Sequence, residues 1–173
     1  MRLVSLRRMK VLAATGLLVG LALTARAAPA ASSNTASATA DIVAPIAIIN
    51  VDSTGLVFGQ IVPTANGTVS VAPDGTRTST GVQVIPSSPV TAARFQVTGS
   101  ANNTYSITLP AATTISSGGN NMTVDAFTST PTGIGTLDGT GKQNLNIGAT
   151  LHVNNNQANG HYTGTFTVAV AYN

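Results

Sequence analysis

The last fourteen residues, 160–173, alternate between two kinds of side chain. One parity is small or polar. The other is apolar apart from a gap at Gly164, and comprises Tyr162, Phe166, Val168, Val170 and Tyr172. Successive side chains of a strand point to opposite faces, so this segment predicts a strand with one buried face. An aromatic residue beside the carboxyl end predicts that this end is held in a sheet, because free chain ends fray.

The first 27 residues have the composition of a secretory signal peptide. Basic residues occupy the start, residues 11–23 are apolar apart from Thr15 and glycines, and Ala25-Arg26-Ala27 supplies a small-x-small cleavage pattern. A membrane anchor is the alternative, but this apolar run of thirteen residues is shorter than the roughly twenty that span a bilayer. We therefore expect residues 1–27 to be cleaved and the mature chain to be exported to the periplasm.

Removal of that peptide reverses the charge of the chain. Five of the eight Lys and Arg residues lie within residues 1–27, so Arg77, Arg94 and Lys142 remain against five aspartates, and three minus five gives −2. Three scattered cations form no basic patch, and we expect no nucleic-acid partner. The chain has no cysteine, so we expect its stability to come from sheet packing rather than from disulfides.

The composition of the mature chain is typical of strands joined by turns, since Glu and Trp are absent and Thr, Asn, Gly and Val abound. Residues 145–153 alternate cleanly and predict a long strand. Asn66-Gly67 predicts a hairpin turn after Ile61-Val62, and residues 73–76 predict another turn. About eight or nine short strands at this spacing predict an all-β, two-sheet antiparallel sandwich without helices.

Weaker signals come from the middle of the chain. Met122, Val124 and Ala126 predict one face of a strand that follows a Gly/Asn loop at residues 116–121. Residues 131–142 are rich in Gly and Thr and predict an irregular segment.

Two residues of the terminal segment carry a resemblance. Gly160 is fourteenth from the end and Tyr172 is penultimate, and this combination with alternating apolar residues resembles subunits of chaperone–usher pili. The chain is also similar to short, cysteine-free proteobacterial secreted proteins grouped as a domain of unknown function (number forty-four zero two). The segments that carry this second resemblance are residues 36–48, 56–59, 148–151, 160–166 and 170–173.

The pilin resemblance implies an immunoglobulin-like sandwich that lacks one strand, with an apolar groove beside the C-terminal strand. A periplasmic immunoglobulin-like chaperone lends a strand to such a groove, and an outer-membrane usher exports the subunit. In the fibre, the N-terminal extension of the next copy replaces the chaperone strand, which is a form of strand addition to an open edge. The resemblance therefore implies a head-to-tail polymer of the chain with itself.

Applied to this sequence, the resemblance makes residues 28–45 an N-terminal extension and residues 46–173 the pilin-like domain. The predicted donor strand places four apolar side chains in a neighbour's groove: Ala36, Ala38, Ala40 and Ile42. The predicted acceptor edge comprises Gly160, Tyr162, Phe166, Val168, Val170 and Tyr172. Two other interpretations of the alanine-rich segment remain open: the first strand of a complete sandwich, and a disordered leader.

Catalysis is not expected. His152 lies between Leu151 and Val153 and is predicted to face solvent, and its spacing from His161 matches no familiar metal site. Asp74-Gly75 and Asp138-Gly139 are interpreted as turn formers rather than as an acid–base pair. We expect no catalytic residue, no cofactor and no metal. The pilin resemblance implies a fimbrial structural subunit; the alternative is a monomeric secreted sandwich that binds glycans or matrix through its loops, and a small periplasmic enzyme ranks third.

Overall fold

Twelve β-strands and no helix are present in residues 30–173, which are the residues that the computed structural model describes. The predicted signal peptide, residues 1–27, lies outside them. The chain divides into two units, Met1–Thr39 and Ala40–Asn173. Residues 30–46 contain no strand, and all the strands lie in the second unit. They are β1 (Ala47–Asn50), β2 (Ile61–Val62), β3 (Gly67–Val71), β4 (Arg77–Thr80), β5 (Gln83–Val84), β6 (Ala93–Thr98), β7 (Thr104–Thr108), β8 (Ala112–Ser117), β9 (Asn120–Thr130), β10 (Ile134–Thr136), β11 (Lys142–Val153) and β12 (Ala169–Tyr172).

The longest strand, β11, organises the larger sheet. One of its edges pairs with β9, and its other edge pairs first with β6 and then with β3. Outside these three partners lie β8, β1 and β4, so that seven strands form one antiparallel sheet. In β11, alternate residues from Leu145 to Val153 are buried, which confirms the strand predicted there.

A second sheet of three antiparallel strands, in the order β10-β7-β12, completes the sandwich. Buried side chains form two clusters, one around Val97, Tyr105 and Leu145 and the other around Val69 and Leu151. Because β11 contributes residues to both clusters, the two halves of the core are continuous along it. The predicted all-β antiparallel sandwich is confirmed.

The hairpin predicted at Asn66-Gly67 is wrong. Ile61–Val62 pairs with Gln83–Val84, while β3 begins at Gly67 and pairs with β4 and β11. Gly67 is needed for close approach rather than for a turn, because a Cβ there would collide with the carbonyl oxygen of Thr80. The predicted turn at residues 73–76 is confirmed: Gly75 has φ +87° and its N–H donates to Ala72 O at 2.8 Å.

A β-bulge in β9 changes which side chains face the core. Thr128 pairs with Gly148 and Asp125 pairs with Thr150, so β9 has one more residue than β11 across this interval. Ala126 occupies the bulge with φ +47° and is exposed, contrary to the predicted Met122–Val124–Ala126 face. Beyond the bulge the inward positions shift by one residue, to Phe127 and Ser129.

Candidate functional site: an apolar groove between two edge strands

The first and last strands of the sandwich are both edge strands. Among the described residues, β1 pairs with β6 alone and β12 pairs with β7 alone. The two belong to different sheets and are not hydrogen-bonded to each other, although some of their Cα atoms lie within 8 Å. Each strand therefore has one free edge.

The hydrogen-bond register shows which backbone groups lie on these free edges. Asn173 N–H donates to Thr104 O and Val51 N–H donates to Arg94 O. Because bonding direction alternates along an antiparallel strand, Val170 and Tyr172 direct their N–H and C=O groups away from β7. By the same alternation, Ile48 directs its backbone groups away from β6.

The same residues direct their side chains towards the core. Ile46 and Ile48 near one edge, and Val168, Val170 and Tyr172 near the other, pack against the cluster around Leu145. All five are half-buried, whereas Ala47, Ile49, Ala169 and Ala171 between them are exposed. The edges therefore combine free backbone groups with incompletely covered apolar side chains.

Three aromatic rings pack against the core cluster around Leu145, beside these edge residues. The ring centroid of Phe166 is 5.1 Å from that of Phe127 and 6.3 Å from that of Phe95, the second pair being edge-to-face. All three rings are only half-buried. Their contacts fix the inward orientation of Phe166 in the segment that precedes β12.

The first and last segments of the sandwich run in opposite directions along the groove. At one end, Tyr172 Oη donates to Ala44 O at 2.9 Å and accepts from Ser100 N–H at 2.6 Å. Ala44 N–H in turn donates to Ser100 Oγ at 2.7 Å. At the other end, residues 54–63 face residues 157–164 across a cavity. We call these the Tyr172 end and the cavity end of the groove.

The cavity at the cavity end has a volume of about 780 Å³ and mainly apolar walls. Met122 and Leu151 lie at its floor within the core cluster of Val69. Leu56 and Phe58 line it from the first segment of the sandwich, and Tyr162 lines it from the last. Gly160 and Gly164 also border it.

Arg77 holds in place the wall of the cavity that contains Phe58. Its guanidinium donates from Nη1 to Phe58 O at 3.1 Å and to Ser88 Oγ at 3.0 Å, and from Nη2 to Ile85 O at 2.9 Å. All these acceptors are neutral. The arginine thus joins the Phe58 segment to residues 85–88 without a carboxylate partner among those contacts.

The predicted acceptor residues lie along one border of the groove, but in a shorter strand than expected. Only Ala169–Tyr172 forms a strand, whereas the sequence predicted one over residues 160–173. Upstream, Thr163 forms an isolated bridge with Ser116 of β8, and Thr113 Oγ1 donates to Thr165 O. The segment passes from β8 to β7, and so from one sheet to the other, which interrupts the ladder.

The glycines of that segment are close to β8. A Cβ on Gly164 would collide with Thr114 O and Ile115, and one on Gly160 would collide with Ser117 Oγ. Gly160 itself is exposed, whereas Tyr162, Phe166, Val168, Val170 and Tyr172 are half-buried. The glycine gap in the alternation therefore permits close packing on β8.

The predicted donor residues are exposed. Ala36, Ala38, Ala40 and Ile42 lie outside any strand, and Ile42 is 95% exposed. Ala44 has its backbone N–H and C=O bonded to Ser100 and Tyr172, as described above. The contributions of Ser100 and Ala44 to the Tyr172 end were not predicted, because nothing local in the sequence marks them as partners of a residue so distant along the chain.

Three aspartates outside the strands accept local hydrogen bonds. A hydrogen bond from the Thr54 hydroxyl lowers the pKa of Asp52, one from Thr76 N–H lowers the pKa of Asp74, and one from the Thr140 hydroxyl lowers the pKa of Asp138. These contacts agree with the prediction that Asp74 and Asp138 are turn formers. Burial raises the pKa of Tyr105, whose hydroxyl donates to Gln143 Oε1 at 2.7 Å.

His152 is exposed, as predicted, and its Nε2 lies 2.8 Å from Asp125 Oδ1. No group of three His, Cys, Asp or Glu side chains that would hold a metal ion occurs in residues 30–173. Within the same residues, no helix is long and apolar enough to cross a membrane.

The fold and the groove define an antiparallel β-sandwich protein with an open edge on each of its two larger sheets. The chain belongs to the family described as Domain of unknown function (DUF4402), whose family model matches residues 49–172. The match extends through β12 to Tyr172 and begins within β1. No curated protein and no solved structure matches the chain.

Proposed function

We propose that this chain is a structural subunit of a cell-surface fimbria that polymerises by donor-strand exchange. The observation that carries the proposal is the apolar groove between the first and last segments of the sandwich. Both of its borders offer free backbone groups and half-covered apolar side chains. An extended segment with alternating apolar residues is the partner that satisfies both features together.

An inserted strand gains hydrogen bonds on both sides. On one side it meets the outward groups of Val170 and Tyr172, and on the other those of Ile48. Each ladder bond contributes about 1 kcal/mol net. The backbone contribution therefore grows with the length of the inserted segment and does not require large side chains.

The N-terminal extension of a second copy has the matching pattern. Ala36, Ala38, Ala40 and Ile42 share one parity, and Ser37, Thr39 and Asp41 share the other. Inserted in the groove, this segment turns its apolar parity to the core and its polar parity to solvent. Burial of Ile42 contributes about 2 kcal/mol, and each alanine contributes less.

Insertion requires the groove to widen at the Tyr172 end. Some Cα atoms of β1 and β12 are within 8 Å of each other, whereas an intervening strand needs two spacings of about 4.8 Å. The two borders must therefore separate by at least about 2 Å where a strand is to be paired on both sides. The hydrogen bond between Tyr172 and Ala44 opposes that separation.

The proposed partners follow from the groove together with the resemblance to pilins. A head-to-tail contact of this kind does not close, so it propagates as a filament. Before assembly the groove needs a temporary occupant, and we assign this role to a periplasmic immunoglobulin-like chaperone that delivers the subunit to an outer-membrane usher. Export by the predicted signal peptide would bring the chain to that chaperone.

The proposal is tested on the exposed extension, where substitutions leave the sandwich intact. In Ala38→Asp a carboxylate replaces a methyl group on the apolar parity, and burying it in the groove is unfavourable. The matched control, Ser37→Asp, adds the same charge to the polar parity beside it. Polymers are measured as heat-sensitive ladders of the full chain on detergent gels.

We expect wild type and Ser37→Asp to form ladders, and Ala38→Asp to lose at least nine-tenths of the polymer. A wild-type chain that stays monomeric at every concentration would count against the fimbrial proposal and favour the glycan-binding alternative. Equal ladders from all three chains would show that this extension is not the donor.

A further inference from the structure

We infer, building on the proposed function, that Ile42 of one copy enters the 780 Å³ cavity of the next copy and packs against its apolar wall. The incoming strand then runs parallel to the first segment of the acceptor and antiparallel to its last segment. This assigns both a direction and a register to the exchange. The inference follows from where the extension leaves the domain.

The exit point is Ala44, at the Tyr172 end of the groove. Its carbonyl oxygen accepts from Tyr172 Oη and its N–H donates to Ser100 Oγ. The backbone N–H and C=O of Ala44 are thus both hydrogen-bonded to the sandwich. The N-terminal extension therefore leaves the sandwich at a defined position, that of Ala44.

Ile42 must stay close to Ala44. It is two residues before Ala44, and an extended chain spans at most about 3.6 Å per residue. Ile42 therefore stays within roughly 7 Å of Ala44. When Ile42 is buried in a neighbour, the end of the groove that receives it must abut the donor's Tyr172 end.

The direction of the polymer decides which end receives it. If the acceptor received Ile42 at its own Tyr172 end, like ends would meet and the contact would close as a two-fold dimer. If it receives Ile42 at the cavity end, unlike ends meet and the contact repeats without closing. A fibre requires the second arrangement.

Side-chain sizes agree with this direction. Ile42 is the only large apolar residue on the donor parity between residues 36 and 42, and it reaches the wide cavity between Leu56 and Tyr162. The preceding alanines, Ala36 to Ala40, extend over roughly 20 Å from Ile42 at about 3.3 Å per residue. They lie towards the narrower end, where β1 and β12 approach each other.

Cysteine cross-linking tests the direction, because the natural chain has no cysteine. Full chains carrying Ile42→Cys are mixed with chains carrying Met122→Cys, at the cavity floor, and separately with chains carrying Val170→Cys, near the Tyr172 end. The mixtures assemble under reducing conditions and are then oxidised mildly. Cross-linked dimers are counted on denaturing gels.

Because Ile42→Cys is common to both mixtures, any weakening of assembly by the loss of isoleucine lowers both yields alike, and the ratio between them reports the register. We expect at least tenfold more cross-linked dimer with Met122→Cys than with Val170→Cys. The reverse preference, or no cross-link at either position in chains that do polymerise, would overturn the register while leaving the fimbrial proposal in place. Absence of polymer from the unsubstituted chain would instead overturn the fimbrial proposal itself.

A second variant avoids any change to the core. Ile42→Ala removes the anchor from the exposed extension, and Val43→Ala changes the adjacent residue on the opposite parity. We expect Ile42→Ala to reduce polymer yield at least tenfold, Ile42→Leu to retain it, and Val43→Ala to match wild type. Equal yields from Ile42→Ala and Val43→Ala would contradict the anchoring role of Ile42.

Discussion

The hydroxyl of Tyr172 donates a hydrogen bond to the carbonyl oxygen of Ala44, 128 positions earlier in the chain, at 2.9 Å. The Tyr172 hydroxyl oxygen also accepts a hydrogen bond from the N–H of Ser100, at 2.6 Å. One side chain in the last strand thus connects the start of the sandwich to the loop after β6. This connection positions the base of the proposed donor segment.

Tyr172→Phe removes both hydrogen bonds while keeping the ring. Because the partly buried N–H of Ser100 loses its acceptor, we expect the free energy of unfolding to fall by about 1–3 kcal/mol. Urea denaturation of the full chain measures the change. As a control, Ser106→Ala removes an exposed hydrogen bond to the neighbouring Ala171 and should shift it by less than about 0.5 kcal/mol. Equal changes in the two variants would show that the Tyr172 hydroxyl contributes no more to the free energy of unfolding than an exposed hydrogen bond does.

Gly99→Ala should displace the Tyr172 ring. A Cβ at position 99 would collide with Tyr172 Oη and lie 3.0 Å from Leu137 Cδ1. Overpacking of this kind costs about 1–3 kcal/mol. Gly139→Ala is the matched control, since no atom beyond the adjacent residues lies within 4 Å of a Cβ there. Thermal unfolding of both variants gives the comparison; a Gly99→Ala melting temperature equal to that of Gly139→Ala would contradict the contact.

Ala126→Gly should stabilise the chain. Ala126 has φ +47° in the β9 bulge and is exposed, and a left-handed backbone costs a non-glycine residue about 1 kcal/mol. Glycine relieves that cost but loses more entropy on folding, so we expect a net gain of about 0.5 kcal/mol. Thr123→Gly, at an exposed regular position of the same strand, should destabilise instead. Two losses of stability would argue against strain at Ala126.

Stability should fall when the pH is lowered through the titration range of the turn aspartates. A hydrogen bond from the Thr140 hydroxyl, with others from backbone N–H groups of Lys142 and Thr140, lowers the pKa of Asp138. A carboxyl whose folded pKa lies below its unfolded value of about 3.9 stabilises the fold above that value. The contribution is lost as pH falls through the lower, folded pKa.

Urea midpoints between pH 6 and pH 2 measure this dependence. In Asp138→Asn the amide oxygen still accepts hydrogen bonds but does not titrate, so the slope in the acidic range should decrease. An unchanged slope would show that Asp138 does not contribute to the acid dependence.

The sequence alone predicted the parts of the fold that follow a two-residue period. Leu145 to Val153 alternate without interruption, and β11 occupies them with the apolar parity buried. The composition likewise indicated a chain of strands and turns. These features depend on local pattern, which a single sequence displays directly.

Features set by contacts between distant residues were not predicted. The β9 bulge shifts the inward parity after Ala126 without any glycine or proline to mark it. Gly67 belongs to a close strand contact although Asn66-Gly67 has the pattern of a turn. β8 was missed because only Ile115 among its inward residues is large and apolar. The partners of Tyr172 depend on the fold itself.

The fixed exit at Ala44 has a mechanical consequence. In a fibre of the proposed kind, a pull along the axis reaches each joint through a short, straight tether and acts parallel to the inserted strand. Ladder bonds lie across that direction, so tension loads them in shear and they must yield together rather than one after another. Such a joint resists traction far better than its individual bonds suggest, and it tolerates being stretched by flow.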